Sequence, residues 1–210
     1  MKRIAITGGI GSGKSYVCKL LDERGITVYD CDAAAKRLMR TSETLQRQLT
    51  DLIGDEAYLA PGILNKAAVA KFLLASEQNA RAIDAIVHPA VERDFLASGL
   101  QWMESALLYQ AGFERLVDIV IAVTAPEEVR IQRVMARDGI SSEKAREWIA
   151  RQWPQEAVSS RADYVILNDG LQPLPPQIER IIQSINQLSD DRELCHTPSD
   201  KSKEKCNRQF

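Results

Sequence analysis

Lys14 and Ser15 close the run Gly8-Gly9-Ile10-Gly11-Ser12-Gly13-Lys14-Ser15, which fits G-x-x-x-x-G-K-[ST] at every required position. Glycines in that spacing let consecutive backbone N–H groups turn inward around an anion, and the start of a following helix adds its partial positive charge. The Lys14 ammonium can then reach the β- and γ-phosphates of a nucleotide, while the Ser15 hydroxyl can ligate a Mg2+ ion that bridges the same oxygens. The implied chemistry is capture of ATP with magnesium by bare main chain. A dinucleotide-binding reading of Gly8–Gly13 fails, because Lys14 stands where G-x-G-x-x-G needs its third glycine.

Two carboxylates come next. Asp30 and Asp32 flank Cys31 at the end of the apolar stretch ITVYD. Residues two apart in extended chain point the same way, so both are expected to face the phosphate site. One could take a proton from an acceptor hydroxyl while the other orients the acceptor or Mg2+-bound water. Arg130, Arg133 and Arg137 recur at helical spacing, which puts three guanidinium groups along one face. Arginines closing over ATP would neutralise phosphate charge and exclude water, so that the terminal phosphoryl goes to an acceptor instead of being hydrolysed. His88, followed by Pro89, is expected at a boundary between two helical stretches, where the chain returns toward the sheet near the nucleotide turn.

The elements that must hold these groups are legible in outline. KRIAIT reads as a strand, Ser15 to Arg24 as a helix stopped by Gly25, and ITVYD as a second strand, together a βαβ unit that argues for a parallel sheet. Residues 33–99 are mostly helical in pattern, with Leu38, Leu45, Leu49 and Leu52 on one stripe and a turn at Pro61-Gly62. SALLY (105–109) and VDIVIAV (117–123) are the next strand candidates, and ADYVILN (162–168) supplies one more. Between them, Pro126 to about Trp153 is helical and strongly charged. Pro175 and Pro176 suit a helix start, and Ile178, Ile181, Ile182 and Ile185 form its core-facing stripe. Residues 189–210 carry few large apolar side chains and are expected to form a disordered polar tail.

Composition narrows the class. A chain of 210 residues, 45% hydrophobic and with a formal net charge of −2, suits a single globular domain and offers no global basic field for nucleic acid. No apolar run approaches the roughly 18 residues of a membrane span, so neither nucleic acid nor membrane is expected as a partner and a cytoplasmic location is. The cysteines Cys18, Cys31, Cys195 and Cys206 form no C-x-x-C pair, so reduced thiols are expected rather than zinc or disulfides. A small GTPase is disfavoured, since Asn65-Lys66-Ala67-Ala68 lacks the aspartate of N-K-x-D, and Asp51–Gly54 matches D-x-x-G inside a helical stretch rather than after a strand. What stays open is a small-molecule or nucleoside kinase, or a nucleotide-binding module that transfers nothing.

Six segments in fixed order, TGGIGSGKS, YDCD, HPAV, ALLYQAGF, APEEVRIQRVMARD and ADYVILNDG, make the chain resemble the dephospho-CoA kinase family over about residues 2–188. The resemblance implies ATP-dependent phosphorylation of the ribose 3′-hydroxyl of dephospho-coenzyme A. It implies an α/β fold of the P-loop NTPase kind, a parallel five-stranded sheet flanked by helices. The core would comprise 1–32, 100–125 and 160–188, with a helical substrate domain at about 33–99 and a helical lid at about 126–159. By the same resemblance Asp32 is the general base, and Lys14 and Arg137 stabilise the transferring phosphoryl. Asp30, Asp32 and His88 would lie by the dephospho-CoA, and Asn168 near the adenine. The nucleotide-binding set is then Gly9, Ile10, Gly11, Ser12, Gly13, Lys14, Ser15, Tyr16, Arg137 and Asn168, with Ser15 on Mg2+. ATP and dephospho-CoA are the expected partners, with no obligate protein partner. Two departures stand out: Gln110 replaces a glutamate the family often has, with Glu104 a candidate to cover for it, and Val158 replaces a frequent lysine.

Overall fold

The computed structural model describes residues 2–194. Strand β1 (Ile4–Thr7) is buried throughout, with Ile4 and Ile6 on one face and Ala5 on the other, as a central strand with both faces covered requires. A glycine-rich loop leads from it into α1 (Lys14–Asp22), and β2 (Val28–Asp30) completes the first βαβ unit. The chain then leaves the sheet for α2 (Cys31–Thr41), α3 (Glu43–Ile53), a hairpin of β3 (Tyr58–Ala60) and β4 (Ile63–Leu64), α4 (Lys66–Ala75) and α5 (Glu77–Ser98). It returns as β5 (Trp102–Glu104) and β6 (Ile119–Thr124). A second excursion, α6 (Glu127–Asp138), α7 (Ser142–Ala150) and α8 (Gln155–Ser159), precedes β7 (Tyr164–Leu167) and the closing helix α9 (Leu174–Leu194).

The main sheet has five strands in the order β2-β5-β1-β6-β7, and every pairing is parallel. From β1 the chain goes to one side for β2 and β5 and to the other for β6 and β7. The carboxyl end of β1 therefore lies at the point where the winding reverses, where open parallel sheets leave a crevice. That is where the glycine loop sits.

Two apolar layers hold the sheet. On one face Val17, Leu20 and Leu21 of α1 meet Ile121, Val123 and Ile166 together with Ile178, Ile181 and Ile185 of α9. On the other, Tyr29, Leu45, Leu49, Phe95, Met103 and Phe113 pack α2, α3 and α5 against the strands. A third, small cluster of Ile131, Val134 and Ala145 joins α6 to α7 and reaches Ile10 of the glycine loop. The breaks in the long helical excursion are chemical: Asp30, Ser42, Asn65 and Ser76 each accept a backbone N–H of the helix that follows, so the segment divides at its side-chain caps.

Three sequence expectations change. SALLY is not a strand: β5 is Trp102–Glu104, the ladder ends where the Ser105 N–H donates to Ile6 O, and the following apolar run folds into a turn. Leu108 there is fully buried and the Ala111 N–H donates to Leu107 O, so a short apolar run met its burial in a turn instead of a strand. Pro89 marks no boundary, because it lies inside α5, whose Ile83, Val87, Ala90, Val91 and Phe95 are buried on both sides of it. Packing of that stripe outweighs one missing backbone donor. Third, β2 ends at Asp30 and α2 begins at Cys31, so the two-residue alternation invoked for Asp30 and Asp32 does not apply. The excursion also contains a two-stranded hairpin around the expected Pro61-Gly62 turn. Helix α9 continues to Leu194, past the expected start of the polar tail, and the remainder of that expectation lies outside the described residues.

Phe95, 1% exposed and tilted against the Tyr29 ring, joins α5 to the sheet. Phe95→Ala is expected to lower the unfolding free energy by about 3–5 kcal/mol in urea titrations. A loss under about 1 kcal/mol would show that the helical excursion does not depend on this contact.

Candidate active site

The glycine loop is shaped from outside by hydrogen bonds to its carbonyls. The Arg130 Nε donates to Ile10 O at 2.9 Å, Arg133 Nη1 donates to Gly11 O and Ser12 O at 3.3 and 3.4 Å, and Asn168 Nδ2 donates to Ser12 O at 2.9 Å. Arg133 Nη2 also donates to Asn168 Oδ1 at 3.1 Å, which locks the brace. With those carbonyls bound, the Gly11 N–H and the amides that lead into α1 are left for an anion, while the Ser12 N–H closes a turn on Gly9 O at 3.1 Å. Close approach of the brace explains the glycines: at Gly11 (φ +77°) a Cβ would come within 2.6 Å of Arg130 O, and at Gly13 (φ +92°) it would collide with the Asn168 amide. Gly13 also caps α1 without a side-chain hydrogen bond, so the Lys14 and Ser15 N–H groups keep their capacity for an anion, while the Tyr16 N–H donates to Gly13 O.

A cavity of about 450 Å³ opens over this loop, lined by Gly11, Gly13, Lys14 and Ser15 from the loop and α1, Asp32 from α2 and Glu104 from β5, with the loop-bonded Arg133 and Gln152 and with Arg137 completing the wall. Lys14 is 9% exposed, and burial lowers its pKa against the opposing pull of Glu104 and Asp32. Burial likewise raises the pKa of Glu104, opposed mainly by Lys14. The lining thus sets the Lys14 ammonium and the Arg133 and Arg137 guanidinium groups against the carboxylates of Asp32 and Glu104. Arg137 lines the cavity but is engaged with Asp138, Nη2 to Oδ2 at 2.7 Å.

The predicted residues do not all converge. Asp32 faces the loop from the first turn of α2, whereas the Asp30 carboxylate is spent on the Ala33 N–H at 2.9 Å, capping the helix that carries Asp32. Arg130 and Arg133, expected to close over phosphates, are bound to the loop backbone, and of the three arginines Arg137 is the one without a loop contact. Asn168 uses both side-chain polar atoms on the brace, and its N–H donates to Thr124 O at 2.8 Å. Tyr16 is 55% exposed on α1, outside the cavity lining. His88 lines a second cavity of about 420 Å³ with Arg81, Asp84, Glu92, Gln110 and Arg115, its Nε2 3.5 Å from Asp84 Oδ1 and its ring edge-on to Phe113. Residues 105–112 separate the two cavities, with Ala106 in the wall of the first and Gln110 in that of the second. Glu104 lines the first cavity and Gln110 the second.

Two groups in the site carried no motif. Gln152, between α7 and α8, accepts the Ile10 N–H on its Oε1 at 2.6 Å. Cys18 donates to Glu104 Oε2 at 3.4 Å from within α1.

A five-stranded parallel sheet whose first strand feeds a braced glycine loop, a buried lysine and an arginine-bearing helix across the crevice defines a P-loop kinase fold. The family model for dephospho-CoA kinase matches residues 2–173. The chain is 41% identical over 192 residues to a dephospho-CoA kinase of Porphyromonas gingivalis, covering 88% of this chain and 95% of that one. It is 39% identical over 196 residues to the corresponding Bacteroides fragilis enzyme, at 88% and 93% coverage. The crystal structure of TT1252 from Thermus thermophilus superposes with a TM-score of 0.74 at 32% identity, over 89% of this chain and 97% of that one. The chain belongs to the dephospho-CoA kinase family.

Cys18 and Cys31 are free thiols, and burial first, then neighbouring Glu104 for Cys18 and Asp32 for Cys31, push both pKa values up. In a variant lacking Cys195 and Cys206, both are expected to react with a disulfide reagent at about pH 8 at least about a hundredfold more slowly than free cysteine, and at full speed in urea. Rapid labelling of the folded protein would contradict the assignment of half-buried Cys18 and buried Cys31 as shielded, protonated thiols.

Proposed function

We propose that the protein transfers the γ-phosphoryl of ATP to the ribose 3′-hydroxyl of dephospho-coenzyme A, giving coenzyme A and ADP, the final step of coenzyme A biosynthesis. The observation that carries this reading is the placement of Lys14 and Asp32 in one cavity at the uncapped N-terminus of α1, in a member of this family. The loop amides and Lys14 bind the triphosphate, and Asp32 accepts the proton of the acceptor hydroxyl. As that oxygen bonds to the γ-phosphorus, the bond from phosphorus to the β,γ-bridging oxygen breaks and ADP leaves. Most of the rate then comes from positioning and electrostatics, since phosphoryl transfer asks little covalent work of the protein. Arg137, released from Asp138, supplies charge to the transferring group, and Lys14 holds the β and γ oxygens.

The donors present fit magnesium. Ser15, Asp32 and Glu104 offer hard oxygen ligands, while no cluster of three or more His, Cys, Asp or Glu among the described residues could hold an ion by itself, as suits a cation that keeps waters and shares phosphate oxygens. Ser15 would ligate it and Asp32 would orient its waters. Bound there, it would neutralise charge on the β- and γ-phosphates.

In this reading α2–α5 form the acceptor domain and α6–α8 the lid. His88, in the second cavity, would lie along the dephospho-CoA, with Asp30 acting indirectly as the cap of α2. The protein would work in the cytoplasm on small molecules alone. No helix among the described residues is long and apolar enough to cross a membrane.

A coupled assay of ADP release with Mg-ATP should respond to dephospho-CoA and not to shikimate or nucleoside monophosphates; release independent of acceptor would overturn the assignment. Asp32→Asn is expected to lower kcat by roughly 10²–10⁴-fold with ATP affinity nearly unchanged. Turnover at the wild-type rate would remove Asp32 from the proton-accepting role.

A further inference from the structure

Gln152 belongs to no motif, yet its side chain holds one of the amides that the glycine loop presents to the cavity. The Ile10 N–H donates to Gln152 Oε1 at 2.6 Å, across 142 positions of sequence. The contact is built in from both ends. On the loop side, Arg130 Nε holds Ile10 O at 2.9 Å, which fixes the Ile10–Gly11 peptide plane next to the amide that Gln152 accepts. On the other side, Gln155 Oε1 accepts the Ala125 N–H at 2.9 Å, and the Trp153 ring stacks on Tyr109 with centroids 6.0 Å apart, Arg161 lying 5.0 Å over Trp153. The segment carrying Gln152 is thus pinned to the end of β6 and to the 105–112 turn.

The position of Ile10 within the loop gives the contact its consequence. Phosphates bound at the helix end of such a loop lie on the first-turn amides beside Gly13, Lys14 and Ser15. Ile10 lines the same cavity from the amino-terminal arm of the loop, three positions before Gly13. A nucleoside diphosphate at the helix end leaves the Ile10 amide with Gln152, whereas ATP carries one more phosphate that can compete for that amide. A phosphate oxygen, being charged, is the stronger acceptor and displaces the neutral carboxamide.

We propose that Gln152 is a specificity-determining residue of the donor site, whose carboxamide oxygen stands in for a terminal phosphate oxygen on the Ile10 amide. This rests on the ATP-binding reading of the loop. ATP must displace Gln152, and ADP does not. After transfer, Gln152 reclaims the amide, which favours departure of the diphosphate.

Calorimetric titration of ATP and of ADP into wild type, Gln152→Ala and Gln152→Glu, at one fixed Mg2+ concentration, tests the assignment. Removing the competing acceptor in Gln152→Ala should tighten ATP by about 2- to 10-fold and leave ADP unchanged. In Gln152→Glu a charged acceptor holds the amide and repels the phosphate, so ATP should weaken at least about tenfold while ADP shifts far less. The ratio of the two dissociation constants therefore moves in opposite directions in the two variants, which a purely structural glutamine would not produce. If both nucleotides shift together in each variant, the specificity role is wrong although the ATP site stands. If wild type binds neither nucleotide, the reading of the loop itself fails, and the inference with it.

Discussion

The structure depends on the hydrogen bonds that tie the carbonyls of Ile10, Gly11 and Ser12 outward to Arg130, Arg133 and Asn168. A glycine-rich loop left to itself samples many conformations, and the entropy of ordering it would oppose ligand binding. Hydrogen bonds from charged donors contribute about 1.5–3 kcal/mol each, enough to fix the peptide planes in advance. With the carbonyls engaged, the Gly11 N–H and the amides leading into α1 are what remains for an anion, since Ile10 and Ser12 donate to Gln152 and Gly9. Arg130, only 5% exposed, meets the Ile10 carbonyl dipole through its Nε in the interior.

The brace couples distant parts of the chain. Arg130 and Arg133 ride on α6, which follows β6, and Asn168 follows β7, so the loop after β1 takes its shape from the two strands that lie to one side of it in the sheet. Strand order thereby becomes site geometry. On the other side, β5 delivers Glu104, and α2, capped by Asp30, delivers Asp32. The cavity is the seam between these two halves, and residues 105–112 form the wall between it and the cavity around His88.

Much of this was legible in the sequence wherever the signal was local. The G-x-x-x-x-G-K-S run, the apolar strands β1, β6 and β7 and the isoleucine stripe of α9 each carry their meaning within a few residues. Legibility failed where tertiary context decided. The alternation argument for Asp30 and Asp32 fell because a helix begins between them, and the two carboxylates took different tasks, one as cap and one in the cavity. The Arg130, Arg133 and Arg137 spacing was real, but nothing local distinguishes a guanidinium that will hold backbone from one that faces the cavity. Pro89 misled for the same reason, since the buried stripe of α5 outweighed one lost hydrogen bond. Gln152 was invisible because its partner is a main-chain amide more than half the chain away.

A crystal structure of the protein with ATP and magnesium tests the central claim most directly. The account predicts that the Ile10–Ser12 peptide planes keep the orientation seen here, carbonyls still on Arg130, Arg133 and Asn168, with the triphosphate on the loop amides and Lys14. Flipped peptides that release the brace, or phosphates bound away from the loop, would contradict it.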